Sequence, residues 1–291
     1  GPRGPRVVAR GAVDDKGQVM TFVEAFRAWK EAAGGPPVPV TVVLEGEEES
    51  GSVHLEPFLE RHKDELKADV CVISDTGMPD VDRPAVTYML RGMVYVELTL
   101  KGPSHDLHSG MYGGAVVNPI NALCRLVAGL HDEQGRVQIP GFYDGVREIG
   151  EAELAAWRGL GLDERDFLAT AGLRTPGGGE RDRSLLERTW SRPTCDANGI
   201  WGGYTGAGSK TVIASRASVK LSCRLVPDQD PRKVLEGIRR FVEERLPPDF
   251  TYELQEFGVS PAIRVPTDSP YLGAAKRAAS AVFGLVTGEP L

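Results

Sequence analysis

The chain has 291 residues, 41% of them hydrophobic and 26% charged, with 34 Lys and Arg against 41 Asp and Glu. These proportions belong to an ordinary globular protein, long enough for a large core or for two domains. The net charge of -7 excludes a basic surface built for nucleic acid or for anionic membranes. No apolar run approaches bilayer-spanning length, and the opening residues carry no signal-peptide hydrophobic region.

Residues 6–10 read as a short strand ending at Gly11. After Asp14-Asp15-Lys16-Gly17, the residues Val19, Phe22, Val23, Phe26 and Trp29 fall at helical spacing, and Gly34-Gly35-Pro36-Pro37 stops the helix. Val38 to Leu44 is apolar and β-branched, as in a strand covered on both faces. A helix from about Glu56 to Lys67 and a second buried-type strand, Val70 to Ile73, follow. Alternation of strand and helix predicts an α/β sheet with parallel pairs. From Arg91 the pattern changes. Residues 94–100 and 217–225 alternate apolar and polar, as half-exposed antiparallel strands do. Helices are expected at about 117–130 and 231–246, the second with Asp230 as N-cap and Pro231 in its first turn. A strand over 251–257 completes an α+β unit with two helices on one sheet face. Residues 140–195 read as irregular, with short helical pieces, and a last helix starts near Ser269-Pro270.

Three acidic groups lie where strands of the first part are expected to end: Asp14-Asp15, Glu47-Glu48-Glu49 and Asp75. In open α/β sheets ligands gather at the carboxyl ends of strands. Singly, a Glu triplet reads as a solvated loop and an Asp as a turn or cap. Together they need a counter-charge, which a divalent cation supplies. Cys71, Cys124, Cys195 and Cys223 are widely spaced and form no Cys-x-x-Cys pair, which fits small core residues in a reducing, cytoplasmic setting. Gly203 to Thr211 is glycine-rich, but Ser209 breaks the register a phosphate loop requires.

The segment Gly11-Ala12-Val13-Asp14-Asp15-Lys16-Gly17 resembles the Gly-x-x-Asp-[Asp/Asn]-Lys-Gly motif of the M20 peptidases, dinuclear zinc enzymes that include carnosinases, aminoacylases and carboxypeptidase G. Glu48-Glu49-Ser50-Gly51-Ser52 and Ile73-Ser74-Asp75 resemble two further motifs, in the family's order. The resemblance implies two divalent ions, zinc first, with manganese or cobalt as alternatives. It implies that Asp14 bridges them, that Glu49 and Asp75 each hold one, that the Asp14–Asp15 peptide is cis, and that Glu48 is the general base. Asp106-Leu107-His108-Ser109-Gly110-Met111-Tyr112-Gly113-Gly114 resembles a run in carnosinase-like lid domains, and places on His108 the stabilisation of an oxyanion in a partner subunit's site. Similar lid motifs around residues 210–213 and 222–227 give Thr211 and Arg224 to the substrate's carboxylate or nearby polar atoms, and Asn198 to substrate binding across the dimer. His54, His62, His105 and His131 keep ordinary readings.

The expected architecture is therefore a zinc-peptidase catalytic domain, a largely parallel sheet with helices on both faces. An α+β lid and dimerisation domain interrupts it. Residues 1–90 and 263–291 belong to the first and 91–262 to the second, with 140–195 as an insertion. The expected activity is hydrolysis of dipeptides or short peptides by a homodimer, without nucleic acid or membrane as partner. N-acyl-amino-acid deacylation or desuccinylation on the same scaffold is the alternative, and a non-catalytic dimerising or binding module is a third reading. Gly1 to Arg6 contain no start methionine, which suggests a chain that begins inside a longer protein or after a processing scar. The family's two metal-binding histidine motifs, one before Asp14 and one near the C-terminus, have no counterpart here, since the last histidine is His131. The expectation is that these 291 residues alone are metal-poor and inactive.

Overall fold

A computed structural model describes residues 7–78 and 84–283. The chain divides into two compact units, Gly1–Asp82 and Arg83–Leu291.

In the first unit, α1 (Lys16–Ala33) is the helix that the apolar spacing predicts. It ends where glycine is needed, since Gly34 is left-handed and returns its N–H to the Lys30 carbonyl. A 3₁₀ turn (Glu48–Ser50) and α2 (Leu55–His62) follow. The second helix stops short of the expected Lys67: the N–H groups of Glu65 and Leu66 both return to the His62 carbonyl, and the carboxylates of Asp64 and Glu65 would oppose the dipole of a longer helix. Among the described residues, the segments expected as strands over 6–10, 38–44 and 70–73 join no ladder. Their side chains are exposed, Val40 by 48% and Val72 by 68%. Composition alone cannot make a buried parallel strand, which needs paired neighbours and a layer on each face.

The second unit begins with β1 (Met89–Leu90) and β2 (Gly92–Lys101). It continues through β3 (Leu107–His108), α3 (Ser109–Tyr112), α4 (Pro119–Ala128), α5 (Glu151–Gly159), α6 (Glu164–Thr170) and a π-helical turn (Glu187–Ser191). Then come β4 (Thr194–Gly202), β5 (Val212–Ile213), β6 (Arg216–Leu225), α7 (Pro231–Glu243), β7 (Thr251–Ser260), β8 (Ile263–Arg264) and α8 (Pro270–Phe283). Four strands form one antiparallel sheet in the order β4-β6-β2-β7. Alternation sends Val94, Val96, Leu98 and Leu100 of β2 and Val219, Leu221, Cys223 and Leu225 of β6 to one face. There they bury against Ala122, Leu123 and Leu126 of α4 and Val234, Leu235, Ile238 and Phe241 of α7. The cap of α7 is the expected one, with Asp230 accepting the Arg232 N–H and Pro231 at the first position. Gly237 lets α7 lie close, since a Cβ there would meet the Pro140 carbonyl oxygen at 2.3 Å.

The fourth strand, β4, lies in a stretch without clean alternation, because a bulge between Ala197 and Gly199 breaks its period. β1 and β8 pair with each other, Met89 opposite Arg264, so the segments that lead into and out of the four-stranded sheet run side by side. Between α4 and β4 the irregular stretch is organised by charge. Arg192 donates from Nε to Glu180 Oε1 at 2.9 Å, with both side chains buried. Among the described residues no helix is long and apolar enough to cross a membrane.

Candidate active site

The acidic residues of the first unit are set by two tight turns. Gly11, left-handed at φ 72°, accepts the Lys16 N–H at its carbonyl oxygen and forms a bridge with Asp15. Asp14 is joined to Asp15 by a cis peptide, as the resemblance implies. Glu48 and Glu49 sit in the 3₁₀ turn, closed by Ser50 N–H and Ser52 N–H onto the Glu47 carbonyl and by left-handed Gly51 onto that of Glu48. Glu47 turns away to His54, whose Nδ1 lies 2.8 Å from Oε2. On the far side, the Gln18 amide donates to the Thr76 carbonyl at 3.4 Å and ties α1 to the loop that follows Asp75.

These turns gather negative charge on Glu48. Its carboxyl is held above the usual range, first by burial and then by the charges of Asp75, Glu49, Asp14 and Glu45. Among the described residues, Glu49 pairs with Arg10, whose guanidinium donates to it at 3.0 Å with both side chains exposed. Carboxylates such as Asp14, Glu48, Glu49 and Asp75 are donors of the kind that carry hard or borderline divalent ions. Among the described residues, no three of His, Cys, Asp and Glu are close enough to hold a metal ion. The donors present fit a cation in kind, while the coordination shell is not closed by the described residues.

The second unit gathers a different group. The pairing of β3 with β5 sets His108 opposite Val212 and Leu107 opposite Ile213. His108 Nε2 then lies 3.0 Å from Thr211 Oγ1, and the Ser109 N–H donates to the Thr211 carbonyl at 3.0 Å. The Gly110 N–H donates to His108 Nδ1 at 3.1 Å. Lys210, next in the chain to Thr211, lays its ammonium 5.1 Å from the Tyr204 ring centre and steadies that loop.

Arg224 projects from β6 between Met93 of β2 and Thr194 of β4, with its side chain exposed. Asn198 is the unpaired residue of the β4 bulge and is exposed as well. The register puts the two about 12 Å apart along the strands, at roughly 3.4 Å per residue, too far to share one small ligand group. Arg224 has a companion that sequence reasoning passed over. The guanidinium of Arg91 is held below its ordinary value by burial and by the like charge of Arg224, partly offset by Asp196. Its signal was its place immediately before the Gly92 that opens β2. Asp106 was also missed as a structural partner, although it stands in the quoted run.

A model described as the peptidase dimerisation domain of the M20 peptidases matches residues 88–249, more than half of the chain. The chain belongs to the M20 peptidase family. It is 36% identical over 243 residues to a Cys-Gly metallodipeptidase of Schizosaccharomyces pombe, covering 83% of this chain and 50% of the relative. It is 33% identical over 285 residues to the human Beta-Ala-His dipeptidase, covering 96% of this chain and 56% of that one. Among solved structures, human carnosine dipeptidase 1 superposes with a TM-score of 0.79 at 30% identity, over 97% of this chain and 61% of that chain. A dipeptidase, Dug1p, of Saccharomyces cerevisiae superposes with a TM-score of 0.79 at 28% identity, over 96% and 59%. The chain spans about half the length of the curated relatives it matches. These likenesses bear out the expected fold class, an α/β peptidase scaffold joined to an antiparallel α+β lid, and the carnosinase-like branch.

Proposed function

We propose that the protein to which these residues belong is a metal-dependent dipeptidase that acts as a homodimer, with dipeptides or short peptides as substrate. The observation that carries the reading is that Asp75, Glu49 and Asp14 all act on the Glu48 carboxyl, a gathering of like charge that a divalent cation would relieve. It is supported by relatives named as Cys-Gly and Beta-Ala-His dipeptidases. Asp14, Glu49 and Asp75 are the residues that would hold the metal. In the proposal there are two ions, zinc before manganese or cobalt. Bound metal would lower the pKa of water and polarise the scissile carbonyl.

Glu48 adjoins a proposed ligand without being one, and its carboxylate takes the proton of the attacking water and later passes it to the leaving amine. His108 donates from Nε2 to the carbonyl oxygen as negative charge develops there, in the site of a partner subunit, with Thr211 beside it. The Arg224 fork holds the substrate's terminal carboxylate and Asn198 a further polar group, again across the dimer. Residues 91–262 form the lid inserted into the catalytic domain, which the side-by-side pairing of β1 with β8 supports. Cys195 and Cys223 are buried as expected of core residues, whereas Cys71 and Cys124 are exposed; free thiols of both kinds support the proposed cytoplasmic setting. The 291 residues by themselves are proposed to hold metal weakly and to turn over little substrate, since the described donors do not close a coordination shell.

The test is the full-length protein supplied with zinc and assayed on Xaa-Gly dipeptides and on N-acetyl or N-succinyl amino acids. Hydrolysis of the dipeptides is expected. Activity confined to the acyl substrates would move the protein to the deacylase reading. Stoichiometric zinc retained with no activity on either class would favour a binding module.

A further inference from the structure

The loop that carries His108 is fastened at more points than a strand end requires, and the fastenings determine which ring nitrogen bears hydrogen. Backbone N–H groups only donate, so the Gly110 N–H, 3.1 Å from Nδ1, requires a lone pair on that nitrogen. The neutral ring then carries its hydrogen on Nε2, which faces Thr211 Oγ1 at 3.0 Å as a donor. A hydrogen on Nδ1 would instead set two N–H groups head to head. Thr211 is itself fixed, since its carbonyl accepts the Ser109 N–H and its neighbour Val212 pairs with His108. The two strands are held in register from outside by Asp106, whose Oδ1 accepts the Ser215 N–H at 2.8 Å. That bond joins the residue just before β3 to the residue just before β6.

We infer that Asp106 is a positioning residue that, with the Gly110 amide, locks His108 as the neutral Nε2–H tautomer, whose hydrogen rests on Thr211 Oγ1 until a substrate oxygen takes it over. The depression of the Asp106 carboxyl, caused first by the Ser215 backbone bond and then by a Ser215 side-chain bond, agrees with an acceptor that stays ionised in this role. The lock is built before substrate arrives. Because Thr211 Oγ1 accepts from Nε2, its own hydrogen is free to turn outward, and the Nε2 hydrogen stays aimed at the same spot. The functional consequence rests on the proposed role of His108 at the substrate carbonyl, whereas the tautomer and its fastening do not.

The test therefore has two arms. In the first, the chain is labelled with ¹⁵N-histidine, and nitrogen shifts and two-bond couplings are read near pH 8.5, about two units above the ordinary histidine value of roughly 6.5. The His108 ring is expected as one tautomer, Nδ1 unprotonated and Nε2 bearing hydrogen, in the parent and in Asp106→Asn, whose amide oxygen still accepts from Ser215. In Asp106→Ala the shifts are expected to average towards a mixture of tautomers. In the second arm, full-length enzyme carrying Asp106→Ala is expected to lose about tenfold in kcat at little-changed KM, the fold-change that one charge-assisted hydrogen bond of about 1.5 kcal/mol represents. Asp106→Asn is expected to recover most of it. A parent ring protonated on Nδ1, or an Asp106→Ala protein with the parental ring shifts and kcat, overturns the inference. If His108→Ala keeps full kcat while the ring shows the expected tautomer, the lock stands and the oxyanion role falls.

Discussion

Glu180 and Arg192 hold the irregular part of the second unit together, and cutting one side of that pair gives the sharpest stability test. Both side chains are buried, with exposures of 3% and 5%. Arg192 donates from Nε to Oε1 at 2.9 Å, and its guanidinium stands 5.2 Å from the Tyr143 ring centre. Among the described residues the second oxygen, Oε2, has no hydrogen-bond donor, and it stands 3.9 Å from Arg136 Nη2 and from Arg183 Nε. In Glu180→Ala the Arg192 guanidinium stays buried, and breaking one side of a buried pair costs about 3–5 kcal/mol. Arg192 keeps a contact with the exposed Glu148 carboxylate at 3.3 Å, which places the expected loss at the lower end, about 3 kcal/mol. For a unit of roughly 200 residues that is a fall of about 6–12 °C in Tm. Trp157 and Trp190, packed edge to face with ring centres 5.4 Å apart, report the transition by fluorescence once Trp29 and Trp201 are changed to Phe. Replacing both partners, Glu180→Leu with Arg192→Met, is expected to cost less than the single change, because no charge is then stranded. A single Glu180→Ala change costing under 1 kcal/mol would refute the reasoning, as would a double replacement as damaging as the single changes together.

Three further outcomes are expected. Glu48→Gln in the full-length enzyme should lower kcat by at least a hundredfold, the scale of general acid–base catalysis, with metal content unchanged by elemental analysis; retained turnover would remove the proton-transfer role. Arg224→Met should raise KM for a free-carboxylate dipeptide by about ten- to a hundredfold, the worth of roughly 1.5–3 kcal/mol for a charged hydrogen bond, and should change KM little for the C-terminal amide; equal effects on both substrates would detach Arg224 from the carboxylate. Burial alone would raise the Glu187 carboxyl, but bonds from the Ser184 hydroxyl and N–H, then from Arg183, bring it below its ordinary value. A folded-state value below the unfolded one gives stability that is present above about pH 4.3 and lost as pH falls through the folded value. The stability difference between the parent and Glu187→Gln, read by urea unfolding, should therefore shrink with acidification, and a difference that is constant from neutral pH to pH 3 would contradict this assignment.

The legible parts of the fold were those whose pattern is completed within a few residues. The alternation in β2 and β6, the helical stripe of α1 and the Asp230-Pro231 start of α7 are each decided locally, and each appears as expected. β4 escaped because the Ala197 to Gly199 bulge shifts its period by one residue, and because four of its nine residues, Asp196, Asn198, Gly199 and Gly202, are poor strand formers. β3 and β5 are two residues each, too short for any period, yet they set the 3.0 Å contact of His108 with Thr211. The motif run around His108 could be read as a string, while the bond from Ser215 to Asp106, 109 positions away, could not. Arg91 shows the same limit, since its place beside Arg224 comes from the sheet and not from nearby sequence.

The two units differ in how far they supply their own interior, and this bears on the chemistry. The second buries a continuous core across β2, β6, α4 and α7, which holds the strand of Arg224 from behind, while His108 and Thr211 are set by the β3–β5 pairing. Among its described residues the first unit buries none, and Val38, Val42, Val72 and Ile73 are each at least 60% exposed. β-branched runs of that kind are stable as strands only when both faces are covered. The turns that bear Asp14, Glu48, Glu49 and Asp75 lie in this same unit and depend on local bonds: Gly11, Gly51 and the returns onto Glu47. Local turns can place carboxylates near one another, but a metal shell needs donors held to within tenths of an ångström. A protein layer covering 38–44 and 70–73 is thus a physical condition for the proposed activity in the same sense as the ligands themselves. Metal affinity and burial of Val40 and Val72 should rise together whenever that layer is present.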